Sequence, residues 1–378
     1  MIQYATRGVF WMAVALIAYT YGGYAVWLWL WARLRPHSVR SAVQEPFVSV
    51  VMVVRNEERV LERKLRNLLD LDYPRERYEV VVVSDGSSDR TEAILREFAQ
   101  VPQVHVVLNQ LAQGKASGLN DAMAVAHGEV IVFSDARQTI EPGAIHILME
   151  KLADPDVGCV SGELMLGDPE SGEAKRGVGF YWTIEKEIRE LESASGSVVG
   201  ATGALYAVKR ELVKPLPQGT ILDDVYLPMQ VVREGKRVAF EPRARAWDSS
   251  DLGSEREFRR KVRTLSGNYQ LLQVAPWLLS GKNPILFRFV SHKLLRLVVP
   301  FALAAALAAS ILLSGTVYRV ALIFQLLFYG LSLLALLRWN RGPLERMADA
   351  CLTFVFLNSA AAVAFAIFIT GRKPAWGR

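Results

Sequence analysis

Four long apolar stretches restrict this chain to a protein that is partly embedded in a membrane. Residues 8–31 are almost wholly apolar and long enough to cross a bilayer as a helix. Three more such stretches occupy residues 294–313, 320–337 and 348–369. Hydrophobic residues make up 51% of the 378 residues, which is high for a soluble enzyme and low for a protein built only of membrane helices. The pattern predicts a soluble domain between membrane anchors, with buried core helices as the alternative for each stretch.

Basic residues at the ends of these stretches predict the orientation of the chain. Arg33, Arg35 and Arg40 directly follow the first stretch, and the stretch has no small-residue cleavage site. These features indicate a retained anchor whose carboxyl end faces the cytoplasm. We therefore expect a multi-pass protein of the cell membrane, with its soluble domain in the cytoplasm and in contact with membrane lipids. No basic stripe interleaved with aromatic residues is present, which argues against nucleic acid as a partner.

The composition changes along the chain predict four regions. They are an N-terminal transmembrane helix over residues 1–33, a soluble domain over 34–275, an amphipathic helix lying along the membrane surface over 276–293, and a region of about three transmembrane helices over 294–378. The mixture of aromatic, aliphatic and basic residues in the third region favours an interfacial helix, although a helix at the edge of the soluble domain explains it equally well.

The soluble region alternates between strand-like and helix-like segments, which predicts an α/β fold with a parallel sheet. Predicted strands occupy residues 48–54, 80–83, 104–108 and 130–133, and predicted helices occupy 58–69, 90–98 and 116–126. Two of these strands end on a carboxylate, Asp85 and Asp135. Ligands of open α/β sheets bind beyond the carboxyl ends of the strands, where two acids can hold a nucleotide and its divalent cation. The alternative is that both acids are turn residues or helix caps.

Two other polar segments follow predicted strands. Arg55, Asn56 and Glu57 come after the first strand, where they can hydrogen-bond a base or sugar or simply cap the next helix. Gly114 and Lys115 stand at a helix start that can approach a diphosphate closely, although the spacing of a P-loop is absent.

Taken together, these segments resemble an inverting family 2 glycosyltransferase of the membrane-embedded, polysaccharide-synthase-like type. The resemblance rests on residues 50–57, 83–91, 114–115 with 119–120, 134–136, 200–204, 222–224 and 260–265. It implies a GT-A fold, which is a Rossmann-like mixed sheet flanked by helices, with one N-terminal and about three C-terminal transmembrane helices. It also implies a nucleotide-sugar donor, for which we expect a UDP-sugar.

By this resemblance, a set of polar residues binds the nucleotide sugar. The set comprises Arg55, Asn56, Glu57, Asp85, Gly114, Lys115, Asn120, Asp135, Arg137 and Arg260. Asp135 begins the Asp-x-Asp element of the family and would bind Mg²⁺ or Mn²⁺ on the diphosphate. Arg137 replaces the second acid of that element, so the metal would be held by one carboxylate, substrate phosphates and water, or Arg137 would bind the phosphate directly.

The resemblance also implies the catalytic groups. Asp224 is the expected general base, with Asp223 in support, because inverting transfer needs a carboxylate that accepts the proton of the attacking hydroxyl. Arg263 would stabilise the charge of the leaving diphosphate. The alternatives are an acidic helix cap, which explains one of the two acids, and a solvated basic helix face.

An acceptor site is expected near Tyr181, Trp182, Thr202 and Gly203, because aromatic rings stack on sugars and glycine permits close approach. A surface helix with charge pairs four residues apart is the alternative for the aromatic segment. Thr264 stands where processive synthases of the family have tryptophan, and four crossings make a narrow pore, so we expect limited processivity or a homo-oligomer.

The function expected from the sequence is hexosyl transfer, with inversion, to a glycan or a lipid-linked acceptor in polysaccharide or glycolipid synthesis. A non-catalytic subunit that binds nucleotide sugar within a glycan assembly complex is the alternative, and it would have no need of a base such as Asp224.

Overall fold

The structure is a computed structural model that describes residues 1–167, 180–249, 253–337 and 343–371. The described residues form two compact units. One unit contains residues 31–167, 180–249 and 270–286, and the other contains residues 1–30, 253–269, 287–337 and 343–371. In chain order the α-helices are α1 (Ile2–Ala18), α2 (Tyr24–Leu34), α3 (Leu61–Leu69), α4 (Thr91–Phe98), α5 (Lys115–Val125), α6 (Ala144–Leu152), α7 (Phe180–Ala194), α8 (Asp223–Arg233), α9 (Gly253–Val274), α10 (Leu286–Phe289), α11 (Leu295–Leu312), α12 (Thr316–Leu336) and α13 (Pro343–Ile369).

The first unit is built on one mixed sheet of eight strands. The strands are β1 (Val48–Val54), β2 (Tyr78–Asp85), β3 (Val104–Asn109), β4 (Val130–Phe133), β5 (Thr139–Ile140), β6 (Val157–Leu166), β7 (Tyr206–Lys209) and β8 (Arg237–Asp248). Their spatial order is β3-β2-β1-β4-β7-β6-β8-β5. The first four strands are parallel, and β7 is antiparallel to both of its neighbours. The predicted α/β fold and mixed sheet are confirmed.

The register of the parallel strands brings their carboxyl ends to one edge of the sheet. Val54 lies beside Ser84, and Val51 lies beside Phe133. All seven residues of β1 and all eight of β2 are buried, because helices cover both faces of the sheet. The polar segments that follow β1, β2 and β4 therefore meet at the same edge, as the sequence predicted.

Helix α5 packs closely on the sheet, and a glycine makes this possible. A Cβ atom on Gly118 would lie 2.7 Å from a methyl carbon of Val53, which is shorter than any ordinary contact. Leu119 and Ala122 on the same helix are buried. This close packing fixes the start of α5, and with it Lys115, at the carboxyl edge of the sheet.

The second unit consists of long apolar helices. Four helical segments are long and apolar enough to cross a membrane among the described residues: Ile2–Leu34, Leu286–Leu312, Thr316–Leu336 and Leu344–Ile369. The prediction of one N-terminal and three C-terminal apolar helices of membrane-spanning length is confirmed. Small residues line one of the contacts, where Ala13 of α1 packs on Ala302 and Ala306 of α11, as is usual where membrane helices approach closely.

Two predicted boundaries differ in the structure. Residues 276–293 do not form one interfacial helix: a 3₁₀ turn at Pro276–Leu279 is followed by a helix that starts at Leu286 and continues into the second apolar span. After this turn, the side-chain amide of Asn283 donates to the Leu278 carbonyl oxygen, and Pro284 follows Asn283 in the chain. Residues 253–269, predicted to belong to the soluble domain, are part of the second unit because Val262 packs on Ala360 and Ala364.

The contact between α5 and β1 gives a stability prediction. We expect Gly118→Ala to lower the free energy of unfolding by about 1–3 kcal/mol, because the added methyl group overpacks the helix against Val53. Gly143→Ala is the matched control, since a Cβ atom there meets no atom within 4 Å. Thermal unfolding of the detergent-solubilised variants measures the effect, and equal midpoints for the two variants would contradict it.

Candidate active site

Lys115 lies at the centre of the candidate site. Its ammonium nitrogen is 2.9 Å from Oδ1 of Asp135 and 3.2 Å from both carboxylate oxygens of Asp223. Burial disfavours the charged form of Lys115, but Asp135, Asp223 and Asp224 outweigh this effect and raise its pKa above the ordinary lysine value. The side chain is therefore a cation held between carboxylates that come from the end of β4 and the start of α8.

Asp224 is on the accessible side of this cluster. Oδ2 of Asp224 and Oδ2 of Asp135 would lie 3.3 and 3.5 Å from a Cβ atom on Gly203. The absence of a side chain at Gly203 thus leaves a space between the two carboxylates. Asp223 is only 4% exposed, whereas Asp224 is partly exposed. Of the two adjacent acids, Asp224 is therefore the more accessible one.

The loop from Gly200 to Gly203 is fixed to the start of α8. The Ala201 backbone N–H donates to the Asp224 carbonyl oxygen at 2.7 Å, and the Thr202 N–H donates to Oγ of Ser161 at 3.0 Å. Gly200 has a φ of +87°, which favours glycine. These bonds hold the predicted acceptor residues Thr202 and Gly203 beside the acids.

Asp85 holds the loop that leads into α5. Its two carboxylate oxygens accept the backbone N–H groups of Gln113 and Gly114 at 2.7 and 3.0 Å. The residue is fully buried, at 0% exposure. Gly86 beside it has a φ of +62°, and a Cβ atom there would lie 2.6 Å from the Ala112 backbone nitrogen. Asp85 therefore places Gly114 and Lys115, and its predicted contact with the nucleotide stays a prediction.

The segment after β1 is bound to the segment after β2. Asn56 has a φ of 54°, and its Oδ1 atom accepts the Ser88 N–H at 2.8 Å. Burial raises the pKa of the Glu57 carboxyl, although Arg137 opposes the shift from a distance of 3.5 Å. Arg137, which stands at the second acid position of the Asp-x-Asp element, thus contacts Glu57 in this structure.

Other predicted residues are less central to the site. The Asn120 amide exchanges two hydrogen bonds with the Leu216 backbone at 2.8 and 2.9 Å, so its polar atoms hold a loop. Arg260 and Arg263 lie on α9 within the helical unit, where Arg260 pairs with Glu257 at 3.0 Å. The side chains of Tyr181 and Trp182 are outside the described residues.

Lys64 is a buried lysine that sequence analysis missed. It is 2% exposed, and its ammonium group donates to Oγ of Ser134 and to the Gln138 carbonyl oxygen, both at 2.8 Å. Oγ of Ser134 in turn donates to the Ala204 carbonyl oxygen at 3.1 Å. Lys64 therefore supports the turn that carries Asp135. In the sequence, Lys64 is one of several basic residues of an amphipathic helix. The apolar residues around it at helical spacing are the one sequence signal that could have indicated its burial.

Tyr206 is a second residue that sequence analysis missed. Its ring stacks on Phe133 with 4.5 Å between centroids, and it is fully buried. Burial raises the pKa of its hydroxyl far above the usual value, and the charges of Asp223 and Asp224 add to this effect. Within the described part of the chain its hydroxyl has no hydrogen-bond partner. The residue places an undissociated phenol next to the acidic cluster.

The donor groups fit a hard divalent cation only in part. Carboxylate oxygens of Asp135 and Asp224 face the same space at Gly203, and oxygen is the ligand that Mg²⁺ and Mn²⁺ prefer. However, in the described ranges no three His, Cys, Asp or Glu side chains converge closely enough to hold a metal. A cation at this position would thus share its coordination with oxygens of a substrate.

Comparison with known proteins is consistent with this geometry. Residues 49–216 match the sequence model of glycosyl transferase family 2. The chain is 27% identical over 208 residues to the beta-monoglucosyldiacylglycerol synthase of Trichormus variabilis, covering 53% of this chain and 44% of that protein. It is 24% identical over 229 residues to the poly-beta-1,6-N-acetyl-D-glucosamine synthase of Staphylococcus epidermidis, covering 60% of this chain and 55% of that protein. The chain spans about half the length of the curated relatives it matches.

A solved structure is similar over nearly the whole chain. The mannosyltransferase PcManGT from Pyrobaculum calidifontis, in complex with GDP-Man and Mn²⁺, superposes with a TM-score of 0.73 and 25% sequence identity. The match covers 97% of this chain and all of that protein. The GT-A fold predicted from the sequence is confirmed.

Lys64 gives a prediction about stability and pH. Burial lowers the pKa of Lys64 from 10.5 to about 7, so between these values the folded protein has lost a proton that the unfolded chain still holds. The unfolding free energy should therefore rise with pH over this interval. We expect Lys64→Met to flatten that rise, as measured by thermal unfolding in detergent.

Lys214→Met is the control for Lys64→Met, because the Lys214 side chain is 47% exposed. The control should keep the pH dependence of the unmodified protein. If Lys64→Met shows the same slope as the control, Lys64 does not carry the shifted proton.

Proposed function

We propose that this chain, whose residues 49–216 are a family 2 glycosyltransferase domain, transfers a hexose with inversion from a nucleotide sugar to an acceptor hydroxyl at a membrane. One observation carries the proposal. Four separate chain segments bring Lys115, Asp135, Gly203 and Asp224 to one point at the carboxyl edge of the sheet. This is the edge at which α/β proteins bind their ligands.

The donor would bind with its diphosphate at the start of α5. The loop held by Asp85 ends at Gly114, and the first N–H groups of the helix and the Lys115 ammonium group favour an anion there. The base and ribose would lie along the segments after β1 and β2, which Asn56 joins. We expect a UDP-sugar, and the complex of PcManGT with GDP-Man makes GDP-mannose the competing donor.

A divalent cation, Mg²⁺ or Mn²⁺, would be held by Asp135 together with diphosphate oxygens, and it would supply positive charge to the departing diphosphate. On the sequence resemblance alone, Arg263 and Arg260 are proposed to bind the diphosphate. Arg137 is proposed to leave Glu57 for phosphate, which its exposed position and fork of donors permit.

Asp224 is proposed as the general base. Its carboxylate is partly exposed and stands beside the space at Gly203. It would accept the proton of the acceptor hydroxyl while the oxygen attacks the anomeric carbon. The bond from that carbon to the diphosphate breaks on the opposite face, which inverts the configuration. Asp223, buried against Lys115, would position the pair.

The acceptor is proposed to be a glycan or a glycolipid precursor at the membrane surface. Thr202 and Gly203 would form the wall of the acceptor site beside Asp224, and Tyr181 and Trp182 are candidates for stacking on a sugar. The four apolar helices support a location in the cell membrane, and the basic residues that follow the first of them support a cytoplasmic position of the soluble unit. The relation to a glucosyldiacylglycerol synthase and to a polysaccharide synthase supports both acceptor classes.

Asp224→Asn tests the proposal. We expect the release of nucleoside diphosphate from the preferred donor to fall by about 10²–10⁴-fold in kcat, because the amide cannot accept the proton. The KM for the donor should change only slightly. The protein is assayed in nanodiscs with UDP-glucose, UDP-N-acetylglucosamine and GDP-mannose, Mg²⁺ or Mn²⁺, and a membrane lipid extract as acceptor.

Asp70→Asn is the matched control, because Asp70 is an exposed acid at the end of α3. Full activity of Asp224→Asn would show that another group acts as base. Tight binding of UDP or GDP by the unmodified protein, with no turnover of any donor in the presence of the lipid extract, would instead support a non-catalytic binding subunit.

A further inference from the structure

The Lys115 ammonium group is a positive charge within the acidic cluster. Three carboxylates, those of Asp135, Asp223 and Asp224, act on this group, and two of them contact it directly at 2.9 and 3.2 Å. A divalent cation in the proposed function would need oxygen atoms of the same group of acids. The lysine cation and the metal cation therefore compete for the same ligands.

The acids by themselves are a poor metal site. No three acidic, His or Cys side chains of the described residues converge on one point, and Arg137 occupies the position at which a second acid of the Asp-x-Asp element would stand. The Lys115 ammonium group neutralises part of the negative charge that remains. A metal arriving without substrate would have to displace this cation and would gain few ligands in exchange.

The Lys115 ammonium group could also move to a second position, at the start of α5. Lys115 is the first residue of α5 and follows Gly114. A Cβ atom added to Gly114 would meet no atom within 4 Å, so there is open space beside the start of the helix. The Lys115 side chain is 22% exposed, and lysine carries its charge on a flexible stem. A diphosphate at the start of this 11-residue helix would offer oxygens to the same ammonium group.

We propose that Lys115 is an internal counter-ion that occupies the cation position of the acidic cluster until the donor binds. The diphosphate draws the ammonium group away from Asp135 and Asp223, and it brings the oxygens that complete the coordination of the metal. Metal and diphosphate therefore enter together, and metal alone is held weakly. This inference rests on the proposed function, since it assumes a diphosphate donor and a divalent cation at Asp135.

The inference predicts effects of opposite sign for one substitution. Lys115→Met removes the competing cation, so Mn²⁺ should bind about tenfold or more tightly in the absence of nucleotide. The same change removes a phosphate ligand, so UDP or GDP should bind about tenfold or more weakly in the presence of EDTA. A residue that only maintained the fold would weaken both interactions.

Mn²⁺ binding to the full chain in detergent is measured by the loss of the free Mn²⁺ electron paramagnetic resonance signal. UDP and GDP binding is measured separately by calorimetry with EDTA present. Lys115→Arg should leave Mn²⁺ binding close to that of the unmodified protein, because it keeps the positive charge. Lys214→Met, at a lysine paired with Glu234 on the surface, should change neither measurement.

The outcomes separate the inference from the proposed function. If the unmodified protein binds Mn²⁺ without nucleotide as tightly as Lys115→Met, the counter-ion role is wrong while the transferase proposal stands. If neither protein binds Mn²⁺ even with UDP or GDP, the metal-dependent function fails as well. Lys115→Gln replaces Lys115→Met if the latter unfolds at a lower temperature than the binding experiment requires.

Discussion

The site depends on one electrostatic constraint, which is that ionised carboxylates brought together in a half-buried place repel one another unless a cation lies between them. Asp135 and Asp223 come from segments that are far apart in the chain, and Lys115 lies within 3.2 Å of both. Without a cation at this position, repulsion among Asp135, Asp223 and Asp224 would push apart the end of β4 and the start of α8. The ion cluster thus joins two distant segments of the chain, and in the proposed function it is also where the donor diphosphate would replace protein groups.

Hydrogen bonds from the surrounding chain fix the segments that carry the members of the cluster. Asp85 holds the loop before Lys115 through two backbone N–H groups. Lys64 holds the turn before Asp135 through Ser134 and Gln138. The Ala201 N–H holds the start of α8 through the Asp224 carbonyl oxygen. These bonds leave the carboxylate of Asp224 and the space at Gly203 accessible, as the proposed role of Asp224 as a base requires.

The helical unit is subject to a different constraint. Its surface is apolar, so its polar side chains form hydrogen bonds within the unit. The Tyr21 hydroxyl and the Asn358 amide bond each other at 3.0 Å, and the Gln325 amide donates to Oγ of Ser310 at 3.1 Å. Large apolar side chains such as Phe324 and Leu327 remain exposed on α12. Such a surface suits lipid, which agrees with the proposed function at a membrane.

The sequence determined the elements and the edge at which the site lies. Buried valine runs predicted β1, β2 and β4, and the alternation with helices predicted that their carboxyl ends meet. The motifs also pointed to Lys115, Asp135, Gly203, Asp223 and Asp224, which the structure brings together. Tertiary structure alone decided which of these groups touch, because the pairing of Lys115 with Asp135 and Asp223 joins segments 20 and 108 residues away from it. It also decided that Lys64 and Tyr206 are buried next to the acids, since one basic residue of an amphipathic helix and one tyrosine of a short strand carry no local signal of what they will contact.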